Sequence, residues 1–210
     1  MSEEPIRLLV CDIDGTLVRH DKSLPDENVS AIRALAARGV QVSLISARPA
    51  AGIMPIAARL GLPGPFGAFN GGTVFNLDGQ ERCAFQVPAD LAAALLDLYA
   101  GAGLTRWLFA TNRWLTSDPA NPHTAREVQS SGLQPQAVAD FAPVLGDADK
   151  VVAVCDDDTV MDRIEHQARA LAGNRATVVR SQDYYLDATA PQANKGDGVR
   201  RLAARASTRR

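Results

Sequence analysis

Three short apolar runs constrain this chain more than anything else in it. Each ends on a polar residue, and a helix-like segment separates each from the next. Residues 7–12 read as a buried strand because Leu8-Leu9-Val10-Cys11 is continuously apolar. Pro25-Asp26-Glu27 then opens a helix with Val29, Ile32 and Leu35 on one face and Gly39 as its stop. Residues 40–45 form a second strand, ending at Ser46-Ala47-Arg48-Pro49. A second helix runs through Ile53, Ile56, Ala57 and Leu60 and stops at Gly61. A third strand from Phe66 leads into Asn70-Gly71-Gly72. This β-α-β-α-β alternation predicts an α/β fold built on a doubly wound parallel sheet. Such sheets bind ligands at the carboxyl ends of their strands, where Asp12, Ser46 and Asn70 fall.

The pattern changes after Asn70. Residues 73–76 and 81–86 predict a hairpin around Leu77-Asp78-Gly79-Gln80. A helix from Pro88 follows, then paired strands at 107–110 and 114–116 and a short helix over 122–130. Next come a strand at 150–155, a helix at 159–171 and strands at 177–180 and 184–188. The expected organisation is a core of residues 1–77 and 191–210, with an α+β domain of residues 78–190 inserted into it. The chain returns through Asn194-Lys195-Gly196 to an amphipathic helix carrying Val199 and Leu202.

Composition removes several function classes. A net charge of −2 supplies no positive field for nucleic acid. Arg200, Arg201, Arg205, Arg209 and Arg210 gather at the end of the last helix and read as solvated, dipole-favoured side chains. No segment reaches the roughly 20 apolar residues of a membrane span. Met1-Ser2-Glu3-Glu4-Pro5 is acidic and polar, unlike a signal peptide. Cys11, Cys83 and Cys155 are scattered and odd in number, so they read as buried thiols rather than a disulfide or zinc framework. The expectation is a cytoplasmic protein without nucleic-acid or membrane partners.

The chemistry concentrates in Asp12-Ile13-Asp14-Gly15-Thr16-Leu17. Two carboxylates, one residue apart, sit where a strand gives way to a Gly-loosened loop. One acid can attack phosphorus while the other handles protons. Turn chemistry alone also explains Asp-x-Asp-Gly, whereas a calcium loop needs further oxygen ligands and a late Glu that are missing here. Ser46 can cap the next helix or, with the amides of a helix start, hold a phosphate. Lys195 is by default a solvated lysine. Asp156-Asp157-Asp158 reads as a turn and helix-cap cluster, and Trp107, Trp114 and His123 are as readily core or surface as ligand contacts. Taken together, an aspartate pair, a strand-end hydroxyl and a helix-start lysine in that order are more specific than any member alone.

Those stretches resemble the haloacid dehalogenase (HAD) superfamily. Asp12-Ile13-Asp14-Gly15-Thr16-Leu17 is similar to its first motif, and Ser46-Ala47-Arg48-Pro49 to the second in a form close to that of the Cof-type branch. Asn70-Gly71-Gly72 with its hairpin also looks Cof-like, and so does Tyr185-Leu186-Asp187-Ala188-Thr189 leading to Asn194-Lys195-Gly196, similar to the third motif. The resemblance implies a phosphatase acting on a small phosphate ester, with a sugar-phosphate-like metabolite as substrate. By that analogy Asp12 is the nucleophile, Asp14 the acid and base, and Ser46 and Lys195 the phosphate-binding groups. Mg²⁺ would bind the Asp12 carboxylate and the Asp14 backbone carbonyl. Arg48, Asn70 and Gly71 are weaker candidates for substrate contacts. An insertion between Ser46 and Lys195, rather than between Asp14 and Ser46, is how Cof-type caps are placed and disfavours a phosphomutase.

The sequence departs from the family in one respect. The fourth motif, an acidic pair in a Gly-Asp-Gly-x-Asn-Asp-like loop, is not found. Gly196-Asp197-Gly198 mimics part of it, but Val199-Arg200-Arg201 follows and no apolar strand precedes. Asp197 reads instead as a helix-start residue. The expectations are that Asp12 and Asp14 repel each other and that the first strand is an open apolar edge, inviting a homodimer or aggregation. The alternative to the phosphatase is a truncated or degenerate member with little turnover, serving as a binding or interaction module.

Overall fold

The computed structural model describes residues 5–206, so Met1 to Glu4 and the basic residues Arg209 and Arg210 lie outside the description. The chain forms two compact units, one running to Ala84 and resuming at Asn194, the other spanning Phe85–Ala193. In the first unit, β1 (Leu8–Asp12), β2 (Gln41–Ile45), β3 (Phe66–Ala68), β4 (Thr73–Phe75) and β5 (Glu81–Ala84) make one sheet in that spatial order. β1, β2 and β3 are parallel, and β4 and β5 return antiparallel. The sheet is therefore α/β in its first half and a meander in its second. The boundary expected at 77/78 falls inside the β4–β5 hairpin. The unit extends to Ala84 because β5 completes its sheet.

α1 (Asp26–Ala37) and α2 (Ala50–Leu60) pack on each other and against β2 and β3. Alternation along β2 sends Val42 and Leu44 to one face and Ser43 and Ile45 to the other, and Val42, Ser43, Leu44 and Ile45 are all buried. Among the described residues no strand pairs with the outer side of β1, and all five of its residues are only half-buried. It is the edge that the sequence predicts.

The inserted unit holds α3 (Ala89–Gly101), β6 (Thr105–Ala110), β7 (Arg113–Thr116), α4 (Thr124–Ser131), β8 (Pro135–Ala137), β9 (Ala148–Val154), α5 (Asp158–Ala172), β10 (Thr177–Gln182) and β11 (Tyr185–Thr189). Its sheet runs β10-β11-β9-β6-β7-β8. Leu91, Leu95, Leu108, Val151, Ile164 and Leu186 share one core, which sits between the sheet and α3 and α5. β8 was not expected. Pro-Gln-Ala carries no apolar alternation, and a proline is tolerated there only because the strand is an edge. Asp157 caps α5, accepting the Thr159 and Val160 N–H groups at 2.9 and 3.1 Å. Asp158 pairs with Arg180, and Asp156 lies 2.7 Å from His123 Nε2. The acidic run is thus spent on caps and ion pairs. Trp107 and Trp114 are buried, 1% and 0% exposed.

α6 (Lys195–Ala206) brings the chain back across β1 to β4. Asn194 and Asp197 bond reciprocally at its start. Asn194 Oδ1 accepts the Asp197 N–H at 2.9 Å, and Asn194 Nδ2 donates to Asp197 Oδ2 at 2.8 Å. Leu202 joins Ile45 and Val74 in a buried cluster, with Val10 and Cys83 against it. Two of the terminal arginines are not solvated bystanders. Arg201 donates to the Gly71 carbonyl at 2.9 Å, and Arg205 reaches Cys83 Sγ at 3.8 Å.

Candidate active site

All seven residues singled out from the sequence lie in the first unit, at one end of its sheet. Parallel register sets Asp12 beside Ile45 and Ile45 beside Gly67. The Ser46 N–H donates to the Gly67 carbonyl at 2.9 Å. The Asn70 N–H then donates to the Ser46 carbonyl at 2.7 Å, and the Phe69 N–H to the Arg48 carbonyl at 3.0 Å. The ends of β1, β2 and β3 are thereby tied into one ledge. Phe69, Asn70 and Gly71 all have positive φ, 47°, 58° and 87°. A bulky residue such as phenylalanine is seldom found there.

Past Asp12 the chain makes a tight turn in which the Ile13 carbonyl accepts the Leu17 and Val18 N–H groups at 2.9 and 3.0 Å. Ile13 is fully buried, which separates the two acids. Asp12 Oδ1 accepts the Ile13 N–H at 2.8 Å, and Oδ2 pairs with Lys195 Nζ at 2.8 Å. Lys195 sits in the first turn of α6, so the packing of that helix decides whether it reaches Asp12.

Asp14 has a different set of partners. Arg48 forks onto it, Nε to Oδ2 and Nη2 to Oδ1, both at 2.8 Å, and Lys22 Nζ lies 2.7 Å from Oδ1. The expected repulsion between the acids is therefore offset, because each carboxylate has its own cations. Burial would raise the Asp14 pKa, but the hydrogen bonds and charges of Arg48 and Lys22 outweigh it and hold the carboxyl at about 2. Arg48 is itself 7% exposed. Its Nη1 is 3.4 Å from the Gly52 carbonyl, so each of its guanidinium nitrogens has a partner within the protein. Ser46 is 1% exposed, and its Oγ accepts the Arg48 N–H at 3.2 Å. Asn70 is half-buried and Gly71 buried. Next to Asp12, burial and then the Asp12 charge push the Cys11 thiol up, so it stays protonated.

Sequence reasoning missed Lys22 and the Arg48–Asp14 fork. A lysine in Asp21-Lys22-Ser23 carries no signal of its own. It reaches Asp14 through a reversal in which the Arg19 N–H donates to the Ser23 carbonyl at 2.9 Å and Lys22 takes φ 65°.

The Asp14 pairs predict an acid-side stability loss. A depressed folded pKa adds stability above the unfolded value, near 4, and that stability disappears as pH falls through about 2. Asp14 is about a third exposed, so screening reduces the contribution to about 1 kcal/mol. Denaturant midpoints of the wild type and Asp14→Asn should differ at pH 5 and converge only below the folded value of about 2.

Among the described residues no three His, Cys, Asp or Glu side chains gather as a metal cluster. The oxygens on offer are the Asp12 carboxylate at the end of β1 and, by the family resemblance, the Asp14 carbonyl. These are hard donors, and Mg²⁺ is commonly held by one or two carboxylates together with substrate phosphate and water. The residues present fit that ion.

Residues 9–209 match the family model described as haloacid dehalogenase-like hydrolase. An HMP-PP phosphatase of Serratia proteamaculans is 29% identical over 130 residues, 62% of this chain and 47% of that protein. An HMP-PP phosphatase of Escherichia coli O81 is 26% identical over 190 residues, 90% of this chain and 69% of that protein. The chain thus spans about half to two thirds of the length of these relatives. The crystal structure of a haloacid dehalogenase-like hydrolase from Bacteroides thetaiotaomicron superposes with a TM-score of 0.88 at 21% identity, covering 97% of this chain and 78% of that one. Among the described residues no helix is long and apolar enough to cross a membrane.

Proposed function

Since the chain belongs to the haloacid dehalogenase-like hydrolases, we propose that it hydrolyses a phosphoric monoester of a small metabolite through a phosphorylated Asp12. The observation that carries this reading is the Asp12 carboxylate itself. One oxygen is fixed by the Ile13 N–H and the other lies against the Lys195 ammonium, at the open end of a parallel sheet. Attack by an Asp12 oxygen on phosphorus breaks the bond to the leaving alcohol, and the alcohol needs a proton. Water then attacks the acyl phosphate and has a proton to lose. We assign both transfers to Asp14. With its carboxyl held at about 2 it carries no proton at neutral pH. A phosphoryl dianion competing for Arg48 and Lys22 would loosen the fork and let Asp14 take one up. Lys195 holds the phosphoryl oxygens as charge moves onto them. Mg²⁺, held by Asp12 and the Asp14 carbonyl, would neutralise the phosphate and so let one anion approach another.

The test is Mg²⁺-dependent release of inorganic phosphate from a panel of sugar phosphates and other small phosphate esters. Turnover that falls with chelator and by roughly 10²-fold in Lys195→Ala supports the reading. Absence of turnover across the panel in the folded protein favours the binding-module alternative. The half-buried outer edge of β1 leads us to include pairing with a second copy in the same proposal. Sedimentation would show a dimer that a charged substitution at Leu8 reduces to monomer.

A further inference from the structure

We infer that the inserted unit carries a small-molecule site of its own, on the helical side of its sheet, built to take a free α-amino acid. A cleft of about 240 Å³ opens there between α3 and the segment that follows β8. Arg106, from the start of β6, lines it, with Asp97 from α3 and Asp140 from the segment after β8. The Arg106 backbone is fixed, since its N–H donates to Ser117 Oγ at 3.0 Å and its carbonyl accepts the Ser117 N–H at 3.0 Å. Its guanidinium lies over the ring of Phe141, 5.3 Å from the centroid, and Phe141 is buried.

Two observations mark the cleft as more than a surface dent. Arg106 Nε is buried and has no hydrogen-bond partner. A buried donor left unsatisfied costs about 1–3 kcal/mol, so native structures rarely leave one without a partner. Among the described residues Arg106 also makes no ion pair within 4.0 Å, although two carboxylates line the same cleft. Asp140 spends one oxygen on the Ala142 N–H at 2.8 Å, and Asp97 is exposed.

A cation and two anions that do not pair with each other define the complement. A ligand carboxylate would pair with the Arg106 guanidinium where that residue lines the cleft, and draw charge to a side chain whose buried Nε has no partner of its own, as planar oxyanions do. A ligand ammonium would answer Asp97 and Asp140. Ala93, Leu96 and Leu145 supply an apolar wall for a short aliphatic side chain. A plain anion would leave both aspartates facing it, and a plain cation would leave Arg106 unanswered. The volume suits a ligand smaller than the usual drug-sized occupant.

Isothermal titration of the full chain with L-valine tests this, with acetate and isobutylamine as half-ligands. Saturable binding by valine is expected, at least tenfold tighter than by either half-ligand. Arg106→Gln should weaken it at least tenfold, and Asp97→Asn, at an exposed position that leaves packing intact, several-fold. Circular dichroism of both variants keeps a folding defect apart from a binding defect. No saturable heat up to about 20 mM valine would overturn the inference. Acetate binding as tightly as valine, or Arg106→Gln in folded form leaving valine affinity unchanged, would overturn it equally.

Discussion

Asp12→Asn should reduce phosphate release by roughly 10⁴-fold or more, the scale on which loss of a covalent nucleophile is felt. The amide keeps the volume and can still accept the Ile13 N–H that Oδ1 accepts at 2.8 Å. What it loses is the negative charge that attacks phosphorus. The folded state should barely change. The Asp12–Lys195 pair is 30% and 48% exposed, and ion pairs that open contribute up to about 1 kcal/mol. A thermal midpoint near that of the wild type, with turnover gone, isolates chemistry from folding. Turnover at the wild-type rate in Asp12→Asn would remove Asp12 from the mechanism and with it the proposed aspartyl-phosphate.

How much of this was legible in the sequence depends on how local each feature is. The strand ends at Asp12, Ser46 and Asn70 follow from apolar runs and helix stops, and parallel register then sets them side by side. Lys195 was legible as a helix-start lysine, because Asn194 and Asp197 fix where α6 begins. Partner choice was not legible. Nothing near Arg48 says that its guanidinium turns to Asp14, since that contact depends on β1 and β2 pairing in one register. Nor does anything local announce that the Asn70 N–H bonds to the Ser46 carbonyl or the Gly71 carbonyl to Arg201. Gly196-Asp197-Gly198 drew attention as a fragment of an acidic motif. In the fold, Asp197 closes the start of the helix and Gly198 provides the contact by which α6 docks. A glycine that serves packing looks the same in sequence as one that serves a loop.

That docking contact gives the largest stability effect expected outside the chemistry. Gly71 has φ 87°, and a Cβ built there would lie 2.5 Å from the Gly198 Cα. Gly71→Ala therefore meets two penalties. The backbone conformation costs an alanine about 1 kcal/mol, and the clash is with backbone, which cannot rotate away. Forced overpacking of this kind costs about 1–3 kcal/mol. The sum lowers the thermal midpoint by on the order of 10 °C for a chain of this size. Gly61→Ala separates the two penalties, because Gly61 has φ 73° with nothing within 4 Å of a new Cβ. It should show the conformational penalty alone. Gly198→Ala should fall between them. Its closest contact, 2.6 Å, is Ile45 Cδ1, the end of a side chain that can turn aside, although the Gly71 Cα at 3.0 Å resists. Activity should follow the same order. Relief of the Gly71 clash pushes the first turn of α6 off the ledge, and Lys195 in that turn loses its 2.8 Å approach to Asp12. Differential scanning calorimetry and turnover on the three variants read both effects. If Gly71→Ala is no worse than Gly61→Ala in midpoint and in rate, the close approach of α6 to this turn does not position Lys195.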